Sequence, residues 1–311
     1  MRVRFAPCVL AALLVLAPGS RAAQLNLYEW LALAPVVAAG KNLGTYGKYA
    51  EFQVDSFLRG DGVSQGVIRV NVRRANRDRN RQVDKEALRF DKGLSYLLLL
   101  TPAATRRADA LPTFELVRGA RGAREIPPEG SETYLDAVRR FIRIQDRNDD
   151  LLTWREMSAM IEDTNPVLMQ TALEQFLKFQ RGDTRLLGSL RPLLDHPSPL
   201  LRERTALLIG QILERNGAEP IPDAPVLKSE LVAKARRDNA VSVRVAATQA
   251  LSGFGSAVEE ILEEIARADP DQSVRYAAER LIYERRPPDN DDESAANGTD
   301  RAPPRSGEGP D

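Results

Sequence analysis

A 14-residue phrase near the C-terminal end of the chain occurs twice, and this repetition limits the possible folds more than any other feature. The first copy, DNAVSVRVAATQAL, begins at Asp238, and the second, DPDQSVRYAAERLI, begins at Asp269. Each copy has apolar or small residues at positions i, i+4, i+7 and i+8, which is the spacing of one face of an α-helix. We therefore predict that each copy forms a helix that packs against its neighbours.

Two weaker copies, TNPVLMQTALEQF and HPSPLLRERTALLIG, precede these. The first apolar residues of the four copies are Leu168, Leu201, Val243 and Val274, so the copies are 33, 42 and 31 residues apart. A second helical run follows each of the first three copies, and the longest interval also holds the Gly- and Pro-rich insertion NGAEPIPDAP. One helix pair of this length cannot bury its apolar face alone, so the period predicts an α-solenoid of stacked pairs.

In the third and fourth copies, an Asp is followed five residues later by Val–Arg and then by spaced Ala and Leu residues. This pattern resembles HEAT repeats of the short bacterial type over roughly residues 150–286. The second copy matches it in part, and in the first copy Met169 stands in place of the Arg. The resemblance implies a helical domain, over 131–286, that binds other proteins along a curved face.

The recurring Asp and Arg residues have a structural interpretation. Asp238 and Asp269 lie just before a predicted helix, where a carboxylate can accept hydrogen bonds from free backbone N–H groups. Arg244 and Arg275 lie in the first turn and can reach the acids or carbonyls of the adjoining turn. We therefore assign these residues to the fold and not to binding.

The two ends of the chain differ in composition from the rest. Residues 1–23 have Arg2 and Arg4 near their start, then a nine-residue apolar run and small residues suited to cleavage, which together predict a signal peptide. The run is shorter than the ~20 residues of a transmembrane helix, so we expect export to the periplasm or the extracellular space with no transmembrane anchor in the mature chain. Cys8, the only cysteine, lies in this leader. Residues 287–311 lack large apolar side chains and predict a disordered tail.

Between residues 25 and 128 the apolar residues follow the period of strands. Short runs such as KYAEFQVDSFLRGDG alternate apolar and polar residues between turn signals, as in a small antiparallel β-barrel or sandwich. The run RFDKGLSYLLLL resembles secreted domains with an OB-like or netrin-like barrel, although the protease inhibitors among them rely on cysteines that the mature chain lacks. The predicted fold class is multidomain α+β, with a small antiparallel β-barrel (OB/netrin-like) followed by a HEAT-like α-solenoid.

One segment has the spacing of a metal site. The run DRNDDLLTWREM places Asp146, Asn148 and Asp150 at the first three oxygen positions of an EF-hand loop, and Glu156 where the bidentate ligand stands. The glycine of that loop is missing, which leaves the loop one residue short. The segment is therefore either a weak calcium site or a polar connection between two helices.

Other chemistry is sparse in the sequence. His196 is the only histidine, so the side chains needed for a Ser–His–Asp triad or for a zinc site are almost entirely missing. The sequence also has no Gly-rich phosphate loop. The 44 basic and 44 acidic residues are interspersed, which argues against a nucleic-acid partner. We predict that the chain is not an enzyme and that, calcium apart, it holds no cofactor.

These observations together predict an exported, non-enzymatic scaffold that binds a protein partner on the solenoid. The candidate surface consists of the second helices, at Leu227–Arg237 and Val258–Arg267, with the loop at 216–225 at its rim. One alternative is a calcium-stabilised envelope or adhesion module. The other is a protease-inhibitor-like barrel with a solenoid for targeting.

Overall fold

The computed structural model describes residues 25–60, 66–72, 90–103, 111–216, 221 and 223–285. The predicted signal peptide, the predicted tail and part of the predicted rim loop lie outside these residues. The chain divides into two compact units, the first of which ends at Asp150 and the second of which begins at Leu151. Within the described residues, no helix combines the length and the hydropathy needed to cross a membrane.

The first unit is built around a barrel. Its strands are β1 (Val36–Tyr46), β2 (Tyr49–Arg59), β3 (Val67–Asn71), β4 (Ser95–Pro102), β5 (Thr113–Leu116) and β6 (Ala123–Glu125). Its helices are α1 (Leu27–Ala32) and α2 (Ser131–Arg147). The strands pair in the order β1-β2-β3-β5-β4, and β4 also pairs with β1, so five strands close into a barrel. The short β6 pairs with β4.

One strand pair differs from the sequence-based prediction of an antiparallel barrel. β3 and β5 run parallel, with Arg69 opposite Thr113 and Val70 opposite Phe114. β4 lies between β3 and β5 in the sequence, but it pairs antiparallel with β1 and with β5. β1, β3 and β5 therefore run in one direction, and β5 pairs with β3 in parallel. The prediction is therefore wrong for this pair. The closed barrel followed by helices, in a multidomain α+β chain, is confirmed.

The alternation of residues in β2 explains how the barrel is filled. Ala50, Phe52 and Val54 are buried, whereas the side chains between them are partly or fully exposed. Phe52 meets Phe90 and Tyr96 edge to face, with ring centroids 4.9 and 6.0 Å apart. Such aromatic pairs contribute about 0.5–1.5 kcal/mol beyond the burial of their area. This aromatic cluster is the centre of the barrel core.

Helix α2 packs with the first unit. The sequence analysis assigns α2 to the helical domain, but its contacts lie with α1 and β2. The rings of Phe141 and Tyr28 meet edge to face at 5.8 Å. Arg59 of β2 donates to Gln145 at 2.8 Å and forms an ion pair with Asp146 at 3.0 Å. The apolar stripe that the sequence shows on α2 is buried by these neighbours.

The second unit is helical throughout its described residues. Its helices are α3 (Asp150–Ile161), α4 (Pro166–Lys178), α5 (Leu187–Leu190), α6 (Pro199–Asn216), α7 (Ala224–Arg237), α8 (Val241–Ala250), α9 (Glu259–Ala268) and α10 (Gln272–Arg285). Short 3-10 segments flank α5 at Thr184–Leu186 and Arg191–Asp195, and another joins α8 to α9 at Leu251–Val258.

The four copies of the repeated phrase form α4, α6, α8 and α10. Each of these helices contacts the next, so the stacking that the period predicts is present. The contact between α6 and α8 is especially close at Gly210, where a Cβ atom would lie 2.7 Å from the Cα of Ala250. The small residues of the pattern therefore allow successive repeats to approach.

Candidate protein-binding groove

Two buried ion pairs connect successive repeats of the second unit. Arg202, in the first turn of α6, donates from Nε and Nη2 to the two carboxylate oxygens of Asp238, at 2.8 and 2.7 Å. Arg244, at the equivalent position of α8, donates to Asp269 in the same way, at 3.0 and 3.1 Å. In each pair the carboxylate belongs to the following repeat, so the arginine ties one repeat to the next.

The same side chains fix the turns that lead into the helices. Asp238 accepts a hydrogen bond from the N–H of Ala240 at 3.0 Å, and Asp269 accepts one from the N–H of Asp271 at 2.8 Å. Nη1 of Arg244 donates to the carbonyl of Asp238 at 3.0 Å. These contacts confirm that the recurring residues fix the turns, although each acid binds an N–H group just before the helix and not one of the free N–H groups of the helix itself. They add the connection between repeats, which the sequence analysis does not contain.

The row of ion pairs begins only at the second repeat. In the first repeat Met169 stands in place of the arginine, and α4 contains no other arginine that could take its role. The carboxylate of the second repeat, Asp195, is exposed and pairs instead with Lys234 at 2.7 Å. Because the first copy lacks the arginine, the carboxylate of the second repeat forms its ion pair with a lysine of α7 and not with the preceding repeat.

The stability of these turns should depend on pH. Burial raises the pKa of Asp238, but the hydrogen bonds from Arg202 and from the N–H of Ala240, with the charges of Arg202 and Lys234, hold that pKa below its ordinary value. The ionised carboxylate therefore stabilises the fold above the ordinary pKa of about 4, and this contribution is lost as the pH falls through the lower folded-state value.

We expect Asp238→Asn to reduce the free energy of unfolding more at about pH 7 than at about pH 3. Urea denaturation of wild type and variant at both pH values measures the two differences. Asp195→Asn is the control, because that carboxylate is exposed. A loss for Asp238→Asn that is equal at both pH values would contradict the assignment of this ion pair.

A groove of about 720 Å³ lies in the second unit, along α3, α4 and the turn after α4. Trp154 of α3 contacts Phe176 and Phe179, with ring centroids 5.3 and 5.8 Å apart. Phe179 is 54% exposed although it belongs to this aromatic cluster. The guanidinium of Arg181 lies over the Trp154 ring, 4.7 Å from its centroid, in a cation–π contact. Aromatic surface beside an arginine is thus available to a ligand.

The backbone after α4 forms the edge of the groove. Gln180 and Gly182 adopt left-handed conformations, with φ of 49° and 103°. A Cβ atom at Gly182 would also lie 3.0 Å from the side chain of Leu186, so glycine is needed there. Arg215, at the end of α6, donates to the carbonyls of Gln180, Arg181 and Gly182. These hydrogen bonds hold the turn against α6.

The groove carries an excess of positive charge. Arg181, Arg185 and Arg215 are among its lining residues, whereas Asp183 is the one carboxylate among them. Asp183 already accepts a hydrogen bond from the backbone N–H of Arg185, at 2.9 Å. The exposed guanidinium groups favour a ligand that carries carboxylates.

Sequence reasoning does not single out this groove, because its parts come from separate segments. Trp154, the residues from 176 to 183 and Arg215 come together only when α3, α4 and α6 pack. The local signal is the run FLKFQRGD, in which two phenylalanines and an arginine precede a glycine at the end of a predicted helix. A large aromatic residue at such a turn is a marker of exposed apolar surface.

The surface predicted from the sequence, on α7 and α9, is polar on its outward side. Leu227 and Leu231 of α7 and Leu262 and Ile265 of α9 are buried, and Val226 is the large apolar residue that α7 exposes. Arg236 of α7 forms an ion pair with Glu264 of α9. A second groove, of about 550 Å³, includes Ile221 and Phe254 and lies beside the predicted rim loop. Protein binding at α7 and α9 stays a prediction.

The four candidate calcium ligands lie in or beside two helices. Asp146 is in the last turn of α2 and pairs with Arg59, while Asn148 follows α2 with a φ of 50°. Asp150 begins α3, and Glu156 lies within α3, so two residues separate the helices instead of a long loop. Among the described residues, no group of three or more His, Cys, Asp or Glu side chains is placed to hold a metal ion. Calcium binding stays a prediction.

Comparisons with known proteins give little for this chain. No family model matches it, and no curated protein sequence matches it. A solved structure that does match is the complex of CpcE and CpcF of phycocyanin lyase from Nostoc sp. PCC7120. The identity is 19%, the TM-score is 0.36, and the match covers 51% of this chain and 60% of that chain. This chain therefore spans less than two thirds of the length of the structure that it matches.

The matched complex is named as a phycocyanin lyase, so the comparison does not support the prediction that this chain is not an enzyme, and that prediction is not kept. The prediction depended on the shortage of histidine and cysteine, and that shortage excludes only mechanisms that need those side chains. Carboxylates acting as general acids and bases leave no sequence signature. The match assigns no activity, substrate or catalytic residue to this chain, because its identity and TM-score are too low to carry one.

Proposed function

We propose that this protein is exported and that its helical repeats bind an acidic segment of a partner protein in the groove at Trp154. The observation that carries the proposal is the contact of Arg181 with Trp154 beside the exposed ring of Phe179. Trp, Tyr and Arg are the residues that most often dominate the energy of protein interfaces. An aromatic or aliphatic side chain of the partner would rest against these rings.

The charge of the groove supports an acidic partner. Three arginines line it against one aspartate, and Arg215 already uses its donors on backbone carbonyls. Arg181 and Arg185 are exposed and can pair with carboxylates on both sides of an apolar anchor. Binding should therefore weaken as the salt concentration rises.

The proposal also assigns each unit to a fold family. The stacked helices with their recurring Asp and Arg support the HEAT-like assignment of the second unit. The order β1-β2-β3-β5-β4 and the parallel β3–β5 pair support the OB-like or netrin-like assignment of the barrel. The leader-like composition of residues 1–23 supports export, to the periplasm or beyond.

Peptide binding tests the proposed function. The probe is a fluorescein-labelled peptide in which glutamates flank a central phenylalanine, and the matched probe has glutamine at each glutamate position. We expect wild type to bind the acidic peptide at least about tenfold more tightly than the glutamine peptide. Phe179→Ala should weaken that binding about tenfold or more, since truncating an interface hot spot costs upwards of ~1.4 kcal/mol.

Tyr283→Ala is the matched control, because Tyr283 is an 80% exposed aromatic residue on α10, which does not line the groove. Phe179 is itself exposed, so its loss should leave the fold intact, and Arg181→Gln should reduce the preference for the acidic peptide. Equal binding of the two peptides would contradict the proposal. So would equal binding by wild type and Phe179→Ala.

A further inference from the structure

The groove at Trp154 and the second groove, of about 550 Å³, are neighbours because the last turn of α6 lines both. Arg215 lines the groove at Trp154, whereas the two residues before it, Leu213 and Glu214, line the second groove. Successive side chains of a helix lie about 100° apart around its axis, so consecutive residues can serve two sites. The end of α6 is therefore a wall between two adjacent grooves.

The two grooves are built in the same way. In each, a turn that contains glycine follows the first helix of a repeat and packs on the end of α6. A Cβ atom at Gly182, in the turn after α4, would lie 3.3 Å from the side chain of Ile212. A Cβ atom at Gly253, in the 3-10 segment after α8, would lie 2.3 Å from the Cβ of Leu213. Glycine thus allows both turns to approach α6 closely.

An arginine from the following repeat holds each of these turns. Arg215 of α6 donates from Nη2 to the carbonyls of Arg181 and Gly182, at 2.9 and 3.1 Å. Arg285, the last residue of α10, donates from Nη2 to the carbonyl of Ser252, at 2.9 Å, in the turn after α8. The two grooves are therefore successive copies of one feature, at the C-terminal ends of the stacked helices.

The second groove differs from the first in charge. Among its described lining residues, Glu214 is the one that carries a charge. The hydroxyl of Ser252 donates to this carboxylate at 2.5 Å, and a carboxylate can accept further hydrogen bonds. Phe254, which is half-buried, adds apolar surface to the same groove. The second groove therefore suits an apolar side chain with a basic residue next to it.

We propose that the acidic partner segment continues past the groove at Trp154 and places a second apolar residue in the second groove, with a lysine or arginine at Glu214. This inference rests on the proposed function, because it extends the same segment. The continuity of the two grooves across the end of α6 and the change of charge between them support it.

The spacing of the helices sets the spacing of the two apolar residues. Packed helices lie about 8–10 Å apart, so grooves that share one helix as a wall are separated by about that distance. A chain in the polyproline II conformation rises about 3.1 Å per residue and has three residues per turn. Side chains three positions apart on such a segment lie about 9 Å apart on one side of it. The expected partner motif therefore has its two apolar residues three positions apart.

Fluorescence anisotropy with the full chain and labelled peptides tests this motif. The single-anchor probe is the acidic peptide with a central phenylalanine. Two longer probes add leucine three positions from the phenylalanine and then lysine, on the C-terminal side in one and on the N-terminal side in the other, which covers both directions of the segment. We expect one of them to bind about tenfold or more tightly than the single-anchor probe. A probe of the same composition, with leucine next to the phenylalanine, should show no gain.

Three variants locate the gain in affinity. Phe254→Ala should reduce the binding of the longer probe to that of the single-anchor probe, which should itself be unchanged. Tyr276→Ala should change neither, because Tyr276 is a 64% exposed aromatic residue on α10 that lines neither groove. Glu214 is exposed, so Glu214→Gln should leave the fold intact. In that variant, replacing the lysine of the probe by norleucine should have no further effect.

The inference is overturned if the probe with adjacent leucine and phenylalanine binds as tightly as the longer probe. It is also overturned if Phe254→Ala keeps the gain, or if the lysine contributes as much in Glu214→Gln as in wild type. Failure of the proposed function would appear elsewhere, as equal binding of the single-anchor probe and its glutamine form, or as no effect of Phe179→Ala. The two failures are therefore distinguishable.

Discussion

Arg202→Ala is expected to lower the free energy of unfolding of the helical unit by about 3–5 kcal/mol. The side chains of Arg202 and Asp238 are only 9% and 4% exposed, so alanine leaves a buried carboxylate without its partner. The substitution also removes the donors to two backbone carbonyls, at 2.8 and 3.1 Å. Urea denaturation followed by Trp154 fluorescence, in a Trp30→Phe background, measures the effect on this unit.

Arg191→Ala is the control for this prediction. Arg191 donates to both carboxylate oxygens of Glu230, at 3.0 and 2.8 Å, but the two side chains are 29% and 36% exposed. Its loss should cost no more than about 1 kcal/mol. The double variant Arg202→Met with Asp238→Leu should recover most of the lost stability, because no unpaired charge stays buried. Equal costs for the two single alanine variants would show that the buried pair does not tie the repeats together.

Phe52→Ala should destabilise the barrel by about 3–5 kcal/mol. Phe52 is fully buried and contacts the rings of Phe90 and Tyr96, so alanine removes both packing and two edge-to-face contacts. Trp30 fluorescence during urea denaturation, in a Trp154→Phe background, reports on the unit that contains the barrel.

Tyr46→Ala provides the comparison for the barrel, because Tyr46 is a strand residue that is 59% exposed. A substitution at such a position should change the free energy of unfolding by no more than about 0.5 kcal/mol. If Phe52→Ala were as mild as Tyr46→Ala, the aromatic cluster would not be the centre of the barrel core.

The strands of the barrel could be predicted from the sequence because a half-buried strand alternates apolar and polar residues. That period is local and visible in runs such as the one around Phe52. The parallel pairing of β3 with β5 could not be predicted, since it depends on which strand edges meet after the chain has closed. The position of α2 was also out of reach: an amphipathic stripe shows that a helix is buried, but not which element buries it.

The repeats were visible because each helix must bury the same face against the next. The roles of the recurring Asp and Arg residues were only partly predictable. The turn contacts, such as that of Asp238 with the N–H of Ala240, are local and follow from spacing. The pairing of Arg202 with Asp238 joins residues 36 positions apart, and it arises from the stacking of two repeats. The groove at Trp154 was the least predictable feature, because its lining residues come from three helices that meet only when the unit has folded.

Photocrosslinking from the groove in living cells tests the central claim most directly. A benzophenone side chain replaces Phe179 in the full chain, expressed at its natural level, and the same group replaces Tyr283 in the control. The proposed function predicts a discrete adduct from position 179 that is absent from position 283, with the crosslinked segment of the partner rich in Asp and Glu. The claim is contradicted if position 179 gives no adduct, if both positions give the same one, or if the crosslinked segment carries no acidic residues.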